Sequence, residues 1–394
     1  MGVSHGVRVL LGVVSPFVAV LLLFFAMHRC RHRSVSGDHE EGGTARRRRW
    51  RRKGLSSGGN RGGDGEEEEG EEEEAEAEEL ISFPGGEDLT AHAILDAPGE
   101  VVGKSSYGTL YRACVGGGRG SPMLLRFVRP ACIGRTGEIL PAVQLLGLVR
   151  HPNLVPLRAL YVGPRGEKLF VHPFFPAGNL SHFLLDGNVE SHKWEVIHKI
   201  ALGIAEGLDH LHNGLLRPVI HGNLKSKNVL FEAGYQSRLS DFGLHLLLHP
   251  SSGQEMLDAS SAEGYKAPEL IKMRDASKES DIYSLGVIML ELVTLGKQPD
   301  SGDLVSNRDL RLSNSITNPA FHKKVLEALS PELLRQSREQ NCITEEGLLT
   351  FYRLALSCCS PSPLLRPDVK HVMRKLEELG RQFGSAAKLC RTEN

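Results

Sequence analysis

The sequence predicts an α+β fold of two lobes, a β-rich small lobe followed by an α-rich large lobe, behind one N-terminal transmembrane helix. Residues 9–27 are almost continuously apolar. Further along, runs with β-type alternation precede runs with helical spacing. Residues 194–211, W-E-V-I-H-K-I-A-L-G-I-A-E-G-L-D-H-L, have the apolar spacing of a helix that stops at Asn213-Gly214. Without the apolar segment and the polar stretch behind it, about 300 residues remain, enough for one large core or two lobes.

The apolar segment is long enough to cross a bilayer core of ~30 Å at roughly 1.5 Å per residue. A cleaved signal peptide is the alternative, but no small-x-small cleavage site follows the segment. Instead Arg29, Arg31 and Arg33 follow it, and positive charge on this flank favours its retention in the cytoplasm. We therefore expect residues 1–8 outside the cell, a transmembrane helix over residues 9–28, and the rest of the chain in the cytoplasm.

Residues 29–86 form a polar stretch whose charges are segregated. A basic block, R-R-R-R-W-R-R-K, runs from Arg46 to Lys53, and residues 64–79 are almost wholly acidic, although the formal net charge of the chain is only −1. Neither block can bury enough apolar surface to fold, so we expect a disordered linker. Basic blocks also occur in nuclear import and nucleic-acid binding, but beside a membrane anchor this one is expected to meet anionic lipids, at about 1 kcal/mol per basic residue. No nucleic-acid partner is expected.

Four motifs follow one another in the second half of the chain. They are I-H-G-N-L-K-S-K-N-V-L at residues 220–230, L-S-D-F-G-L at 239–244, G-Y-K-A-P-E-L at 264–270 and D-I-Y-S-L-G at 281–286. In this order and spacing they resemble the catalytic loop, the metal-binding turn, the end of the activation segment and the central helix of a protein kinase. Arg366 stands where kinases pair an Arg with the Glu of A-P-E. With R-H-P-N-L-V-P-L at residues 150–157, the wording most resembles plant leucine-rich-repeat receptor-like kinases, and among them the transmembrane kinase-like members that are thought not to catalyse.

This resemblance implies that the catalytic base is missing. Kinases carry H-R-D-x-x-x-x-N in the catalytic loop, where the Asp accepts the substrate hydroxyl proton and the Asn holds Mg²⁺. Here His221 is followed by Gly222 and then by Asn223, whose amide oxygen is too weak a base to accept that proton. The two implied Mg²⁺ ligands, Asn228 and Asp241, are both present. The sequence therefore leaves the binding of ATP and Mg²⁺ open.

The start of the small lobe resembles a glycine-rich strand–turn–strand that covers nucleotide phosphates. The segment V-V-G-K-S-S-Y-G-T-L-Y keeps Gly103 and Gly108, but Ser105 replaces the middle glycine. Glycine lets backbone N–H groups approach phosphates because it has no Cβ, so we expect Ser105 to stiffen the tip and crowd the phosphates. A plain β-hairpin without a phosphate role carries equal weight.

The resemblance also implies that the ion pair of active kinases is absent. Arg126 stands where the family has the Lys that grips the phosphates, and its planar fork is not equivalent to an ammonium. Ala142 falls where the Glu partner of that Lys is expected, on a helix over residues 137–149. Glu138, one turn earlier, is expected to be a solvated residue of the first helical turn, where the helix dipole favours it.

By the same resemblance, the linker between the lobes is V-H-P-F-F at residues 171–175. Adenine would contact the carbonyl of Pro173 and the N–H of Phe175, so the missing N–H of a proline removes no donor that binding requires. His172 takes the position of a bulky side chain at the back of the nucleotide cleft, where we expect a packed core histidine.

We therefore expect a small lobe over residues 87–177, a large lobe over 178–380 and a tail over 381–394, in a single-pass receptor-like pseudokinase of the plasma membrane. It would act as a signalling scaffold or allosteric partner of other receptor-like kinases or signalling proteins. The alternatives are a weakly active Ser/Thr kinase that uses atypical residues such as Lys104, and a passive membrane tether that recruits partners through its linker. The seven cysteines contain no C-x-x-C and indicate neither a zinc site nor a disulfide framework. A receptor without leucine-rich repeats and a truncated gene model both remain compatible with the sequence.

Overall fold

The computed structural model describes residues 77–115, 121–294, 319–339 and 343–392. The predicted transmembrane helix over residues 9–28 and the basic block from Arg46 to Lys53 lie outside the described residues. Within those ranges, no helix combines the length and apolar character that crossing a membrane requires.

The small lobe is built on one six-stranded sheet. Its strands are β1 (Glu79–Ser82), β2 (Gly99–Lys104), β3 (Gly108–Cys114), β4 (Pro122–Val128), β5 (Ala159–Val162) and β6 (Lys168–Pro173). They lie in the order β1-β5-β6-β4-β3-β2, and every neighbouring pair is antiparallel. The alternating runs of the sequence therefore form strands as predicted.

The first strand corrects the predicted boundary of the linker. β1 lies within residues 29–86, which the sequence assigned to a disordered linker, so residues 79–82 belong to the small lobe instead. Leu80 and Ile81 directly follow the acidic run and pair with Tyr161 and Leu160 of β5. Two apolar residues at the end of the charged block are enough to form this strand, because β5 offers them a sheet edge with which to pair.

Two helices cover the sheet. α1 (Ala91–Asp96) is capped by Thr90, whose hydroxyl accepts a hydrogen bond from the Ala93 N–H at 3.2 Å. Its Ile94 packs with Ala159 and Val171 in a small separate core. The neighbouring strand residues Leu160 and Phe170 join the large core instead, as the alternation of side chains along a strand requires. α2 (Thr136–Gly147) also packs against that large core.

The large lobe is predominantly helical. Its helices are α3 (Leu180–Leu185), α4 (Trp194–Asn213), α5 (Pro250–Ala262), α6 (Lys278–Thr294), α7 (Pro319–Ala328), α8 (Pro331–Glu339), α9 (Glu345–Cys358) and α10 (Val369–Thr392). The helix predicted over residues 194–211 is confirmed as α4, which buries Ile197, Ile200, Ile204 and Leu208 at helical spacing. A short antiparallel ladder, β7 (Val229–Glu232) with β8 (Gln236–Leu239), connects two of the four motifs. The predicted α+β architecture of two lobes is confirmed.

Candidate active site

The loop from His221 to Asn228 is held by one buried carboxylate. Asp281, at the start of α6, is 2% exposed and accepts hydrogen bonds from the backbone N–H groups of His221 and Gly222 at 2.7 and 2.9 Å. His212 Nε2 lies 2.9 Å from the same carboxylate. Burial acts to raise the pKa of Asp281, but the hydrogen bonds from His212 and the loop outweigh it and hold that pKa below its usual value. The carboxylate therefore stays ionised and fixes the loop.

The structure explains why glycine occupies position 222. Gly222 has φ +71°, and a Cβ there would lie 2.5 Å from Nδ1 of the His245 ring. A side chain such as the usual Arg would need both a strained backbone and a displaced His245. The substitution at Gly222 is therefore built into the local packing and is not a change that leaves the rest of the loop untouched.

Asn223, at the position of the catalytic base, is bound on several sides by its own chain. It is 4% exposed, and its backbone N–H donates to Nδ1 of His221 at 3.3 Å. Its carbonyl accepts from Nδ2 of Asn228 at 2.8 Å. Its side-chain Oδ1 accepts a hydrogen bond from the hydroxyl of Ser260, on α5, at 3.3 Å. The side-chain oxygen at the position of the catalytic base is thus already bonded to a serine of the protein itself.

The segment between the D-F-G and A-P-E motifs is folded onto the catalytic loop. Its first part pairs with the chain that leads into α2, because the His249 N–H donates to the Cys132 carbonyl at 2.9 Å. Near its end, Glu263 forms ion pairs with Lys225 at 3.2 Å and Lys227 at 2.9 Å. Burial acts to raise the pKa of Glu263, but these two lysines hold it below its usual value. Both lysines of the catalytic loop are therefore engaged within the chain.

The predicted absence of a Lys–Glu ion pair is accompanied by a different pair. Arg126, on β4, forms an ion pair with Asp241, and the two side chains are only 7% and 13% exposed. Ala142 offers no carboxylate, and Glu138 is exposed in the first turn of α2, where it accepts from the Arg135 N–H at 3.1 Å. Burial alone would lower the pKa of Arg126, but the charge of Asp241 outweighs it and raises that pKa. The guanidinium and the carboxylate of the D-F-G motif thus satisfy each other.

A third side chain, Tyr107 from the glycine-rich turn, lies against this pair. Tyr107 is 6% exposed, and burial raises the pKa of its hydroxyl, which also interacts with Arg126, Asp241 and Ser105. The Arg129 N–H at the end of β4 donates to the Tyr107 carbonyl at 3.0 Å and fixes the turn over the cleft. The sequence did not identify Tyr107 as a site residue, because an aromatic residue at the tip of a strand–turn–strand gives no sign of which way it points.

The glycine-rich turn is closed by its own hydrogen bonds. The backbone N–H and the hydroxyl of Ser105 both reach the Gly108 carbonyl, at 2.9 and 3.3 Å. Gly108 is required for packing, since a Cβ there would lie 2.1 Å from the Phe127 carbonyl oxygen. Gly103 lies beside Leu110, next to an irregularity of the β2–β3 register. These contacts show a hairpin whose tip is tied to itself and to β4.

The segment between the lobes keeps its backbone groups available. The Phe174 N–H donates to the Pro122 carbonyl at 3.1 Å. Because the peptide bond between Pro173 and Phe174 is trans, the Pro173 carbonyl points opposite to the Phe174 N–H and so away from β4. Among the described residues, the Phe175 N–H donates to no other residue. His172 Nδ1 lies 3.1 Å from the Pro156 carbonyl, and burial lowers the pKa of His172 to about 4. His172 is therefore a neutral ring held by a backbone carbonyl.

The remaining motif residues form the pair that the resemblance implied. Arg366 donates to both carboxylate oxygens of Glu269 at 2.6 Å and is 7% exposed. Such bidentate pairs are among the stronger ones in proteins. The prediction that Arg366 pairs with the Glu of A-P-E is confirmed.

Comparison with known proteins agrees with this geometry. The family model described as protein tyrosine and serine/threonine kinase matches residues 98–376. This chain belongs to that family. The kinase-like protein TMKL1 of Arabidopsis thaliana is 38% identical over 302 residues, which cover 76% of this chain and 44% of that protein. The chain thus spans less than half the length of this relative.

Two solved structures resemble the chain closely enough to be informative. The kinase domain of maize SIRK1 bound to AMP-PNP has a TM-score of 0.65 and 31% identity, and the match covers 77% of this chain and all of that one. The pseudokinase domain of BIR2 has a TM-score of 0.56 and 28% identity, with coverage of 72% and 81%. The part of the chain that the family model matches, residues 98–376, is a plant receptor-like kinase domain.

Proposed function

We propose that this chain is a membrane-anchored receptor-like pseudokinase, whose kinase fold acts as a binding surface or allosteric partner for other receptor-like kinases or signalling proteins. The observation that carries the proposal is the state of Asn223: an amide stands in place of the base, and Ser260 of the same chain is bonded to it. A positioned general base contributes about 10²–10⁴-fold to rate. A neutral amide already bonded to its own chain contributes none of this.

The ion pair of Arg126 with Asp241 supports the same conclusion independently. Phosphoryl transfer depends mainly on positioning and on electrostatic stabilisation of the phosphates. Here the strand residue that would grip the phosphates is bonded to the residue that would hold the metal. The losses at these positions act in the same direction, although they do not add simply.

The experiment is a phosphotransfer assay on the full purified chain with labelled ATP and either Mg²⁺ or Mn²⁺. We expect no incorporation into the chain or into generic protein substrates above that of Asp241→Asn. Asn223→Asp should recover little, because the phosphate grip remains altered. Incorporation by the unchanged chain that disappears in Asp241→Asn would contradict the proposal and favour a weakly active Ser/Thr kinase. Lys104, the residue proposed for that role, is exposed at the end of β2.

The membrane part of the proposal rests on residues 9–28 and on the basic flank that follows them. Arg29, Arg31 and Arg33 outweigh Arg8, so the kinase-like domain should face the cytoplasm. Protease added to sealed vesicles should leave the domain intact in cytoplasm-inside preparations and digest it in inverted ones. Release of the protein by high salt would contradict a spanning helix, since salt weakens only the attraction of the block from Arg46 to Lys53 for anionic lipid.

The proposed partner role distinguishes the folded domain from the linker. If the domain provides the binding surface, deletion of residues 46–76, which ends before β1, should leave the recovery of cross-linked partners from plant membranes unchanged. Loss of all partners on that deletion would favour the passive tether instead.

A further inference from the structure

The part of the cleft that meets phosphates and metal in the family is filled by three side chains of this protein. Tyr107 and Arg126 are buried, the side chain of Asp241 is 13% exposed, and Arg126 forms an ion pair with Asp241. The hydroxyl of Tyr107 lies close enough to this pair for both charges to act on its pKa. The positive charge of Arg126 is matched by the negative charge of Asp241, so the cluster has no net charge to offer a ligand. The turn that carries Tyr107 is held in place by the bonds of Ser105 and Arg129. These residues therefore form a closed, neutral wall.

The divalent cation that the family implies does not fit this arrangement. Mg²⁺ takes oxygen ligands, commonly one or two carboxylates together with the substrate phosphates. The carboxylate of Asp241 is already bonded to a guanidinium, and a second cation placed there would be buried beside the first. Asn228 donates its Nδ2 to the Asn223 carbonyl, so its Oδ1 is a neutral oxygen left to a cation beside the paired carboxylate. Among the described residues, no cluster of three acidic, His or Cys side chains could bind a metal elsewhere.

The opposite end of the cleft differs, because its hydrogen-bonding groups are not consumed. The Pro173 carbonyl points away from β4, as the bond of Phe174 to Pro122 and the trans peptide between Pro173 and Phe174 require. The Phe175 N–H donates to no other described residue. Both residues are partly exposed, and His172 behind them is neutral. One acceptor and one donor on backbone groups two residues apart match the edge of an uncharged flat heteroaromatic ring such as a purine. Moving a multiply charged phosphate chain from water to a cluster of side chains without net charge is unfavourable.

We propose that this cleft binds the uncharged purine nucleoside part of a nucleotide, and that neither the phosphates nor a divalent cation adds affinity. The inference deepens the proposed function, on which it rests, by naming the class of ligand that the inactive site takes. The guanidinium of Arg126 occupies the position that a metal ion would otherwise take beside Asp241.

The test is isothermal titration of the full chain with adenosine, with ATP in EDTA and with ATP in excess Mg²⁺. Adenosine should bind at least as tightly as ATP, and Mg²⁺ should change the affinity for ATP by less than about threefold. Tightening of ATP binding by more than about tenfold on addition of Mg²⁺ would overturn the proposal. So would the absence of any binding of adenosine. Phosphotransfer is measured separately, so that tight Mg-ATP binding without transfer would overturn this inference and leave the proposed function standing.

Two variants locate the ligand and the cation. Phe175→Pro removes the donor N–H and should abolish adenosine binding, whereas Phe174→Leu keeps every backbone group and should retain it; equal binding by both would overturn the location. Binding of Mn²⁺ at this site is followed by electron paramagnetic resonance. The unchanged chain should bind none, and Arg126→Gln should bind Mn²⁺. The control Arg129→Gln, which alters an exposed arginine three residues away, should behave like the unchanged chain. If the unchanged chain binds Mn²⁺ and Asp241→Asn does not, the claim that Arg126 takes the place of the cation is wrong. This result decides the question even if Arg126→Gln fails to fold.

Discussion

The buried carboxyl group of Glu291 should make the stability of this protein fall as the pH rises. This carboxyl group lies on α6, is 6% exposed, and its two oxygens are 2.7 and 2.8 Å from the Tyr265 hydroxyl. The same hydroxyl lies 2.7 Å from that of Ser226 in the catalytic loop. Burial raises the pKa of Glu291 from 4.5 to about 7, although the hydrogen bond from Tyr265 acts to lower it. Among the described residues, no Lys, Arg or His forms an ion pair with Glu291.

A raised carboxyl pKa means that the folded chain binds a proton more tightly than the unfolded chain does. The stability from this group is complete below about pH 4.5 and is lost as the pH rises through about 7. The difference of about 2.5 pKa values corresponds to about 3 kcal/mol. Glu291→Gln keeps the shape and an acceptor for Tyr265 but cannot ionise, so this variant should gain up to about 3 kcal/mol over the unchanged chain between these pH values. For a domain of this size the gain corresponds to roughly 6–12 °C in melting temperature.

The assay is urea unfolding of the unchanged chain, Glu291→Gln and the exposed control Glu255→Gln at several pH values from 5 to 8. Burial lowers the pKa of His221 to about 4, which removes stability as the pH falls below about 6.5, but this effect is common to all three proteins and cancels in the difference. The curves of the unchanged chain and Glu291→Gln should diverge with rising pH, and the control should follow the unchanged chain. Parallel curves would show that Glu291 is not held as a buried, largely protonated group, and would refute the reasoning.

Two further predictions concern the cleft and the segment that covers it. Arg126→Met and Asp241→Asn should each lower the free energy of unfolding in urea by about 3–5 kcal/mol, because each leaves a buried charge unpaired. The double variant should lose less than the sum of the two by about 0.5–3 kcal/mol. Additive losses would mean that the pair contributes nothing to stability. Another protein kinase should phosphorylate the exposed Ser261 before the buried Ser260. Phosphate on Ser261 should bring no new protection from hydrogen exchange over residues 244–266, because position 222 is glycine and supplies no arginine to pair with it. Strong new protection there would contradict this.

The sequence predicted well those features that depend on residues at fixed spacing. The order of the motifs indicated the two-lobed fold, and the pattern of residues 194–211 is nearly that of α4. Arg366 was correctly expected to pair with Glu269. In each case a local pattern, or a pairing that the whole family shares, fixes the result before tertiary packing is considered.

The parts that were not predicted depend on contacts between distant residues. Arg126 and Asp241 are 115 positions apart, and the sequence showed only that the usual partner of each was altered or absent. One signal in the sequence could have indicated the pair. With Ala142 in place of the usual Glu, Asp241 is the acid that remains for Arg126. The position of Ser260 against Asn223 gave no such signal, because its helix has few apolar residues and serine is common in loops as well.

The substitutions in this cleft are consistent with one another through charge. With Ala142 and Asn223 at two positions that are acidic in active kinases, Asp241 is the acid that pairs with Arg126, and the two side chains are only 13% and 7% exposed. Restoring Asn223→Asp alone would add a buried negative charge beside the hydroxyl of Ser260, which can donate only one hydrogen bond to it. The same charge would be accommodated in an active site, where metal ions and a free lysine are present. The proposed loss of activity is therefore a property of the set of residues, and no single reversal should restore phosphotransfer.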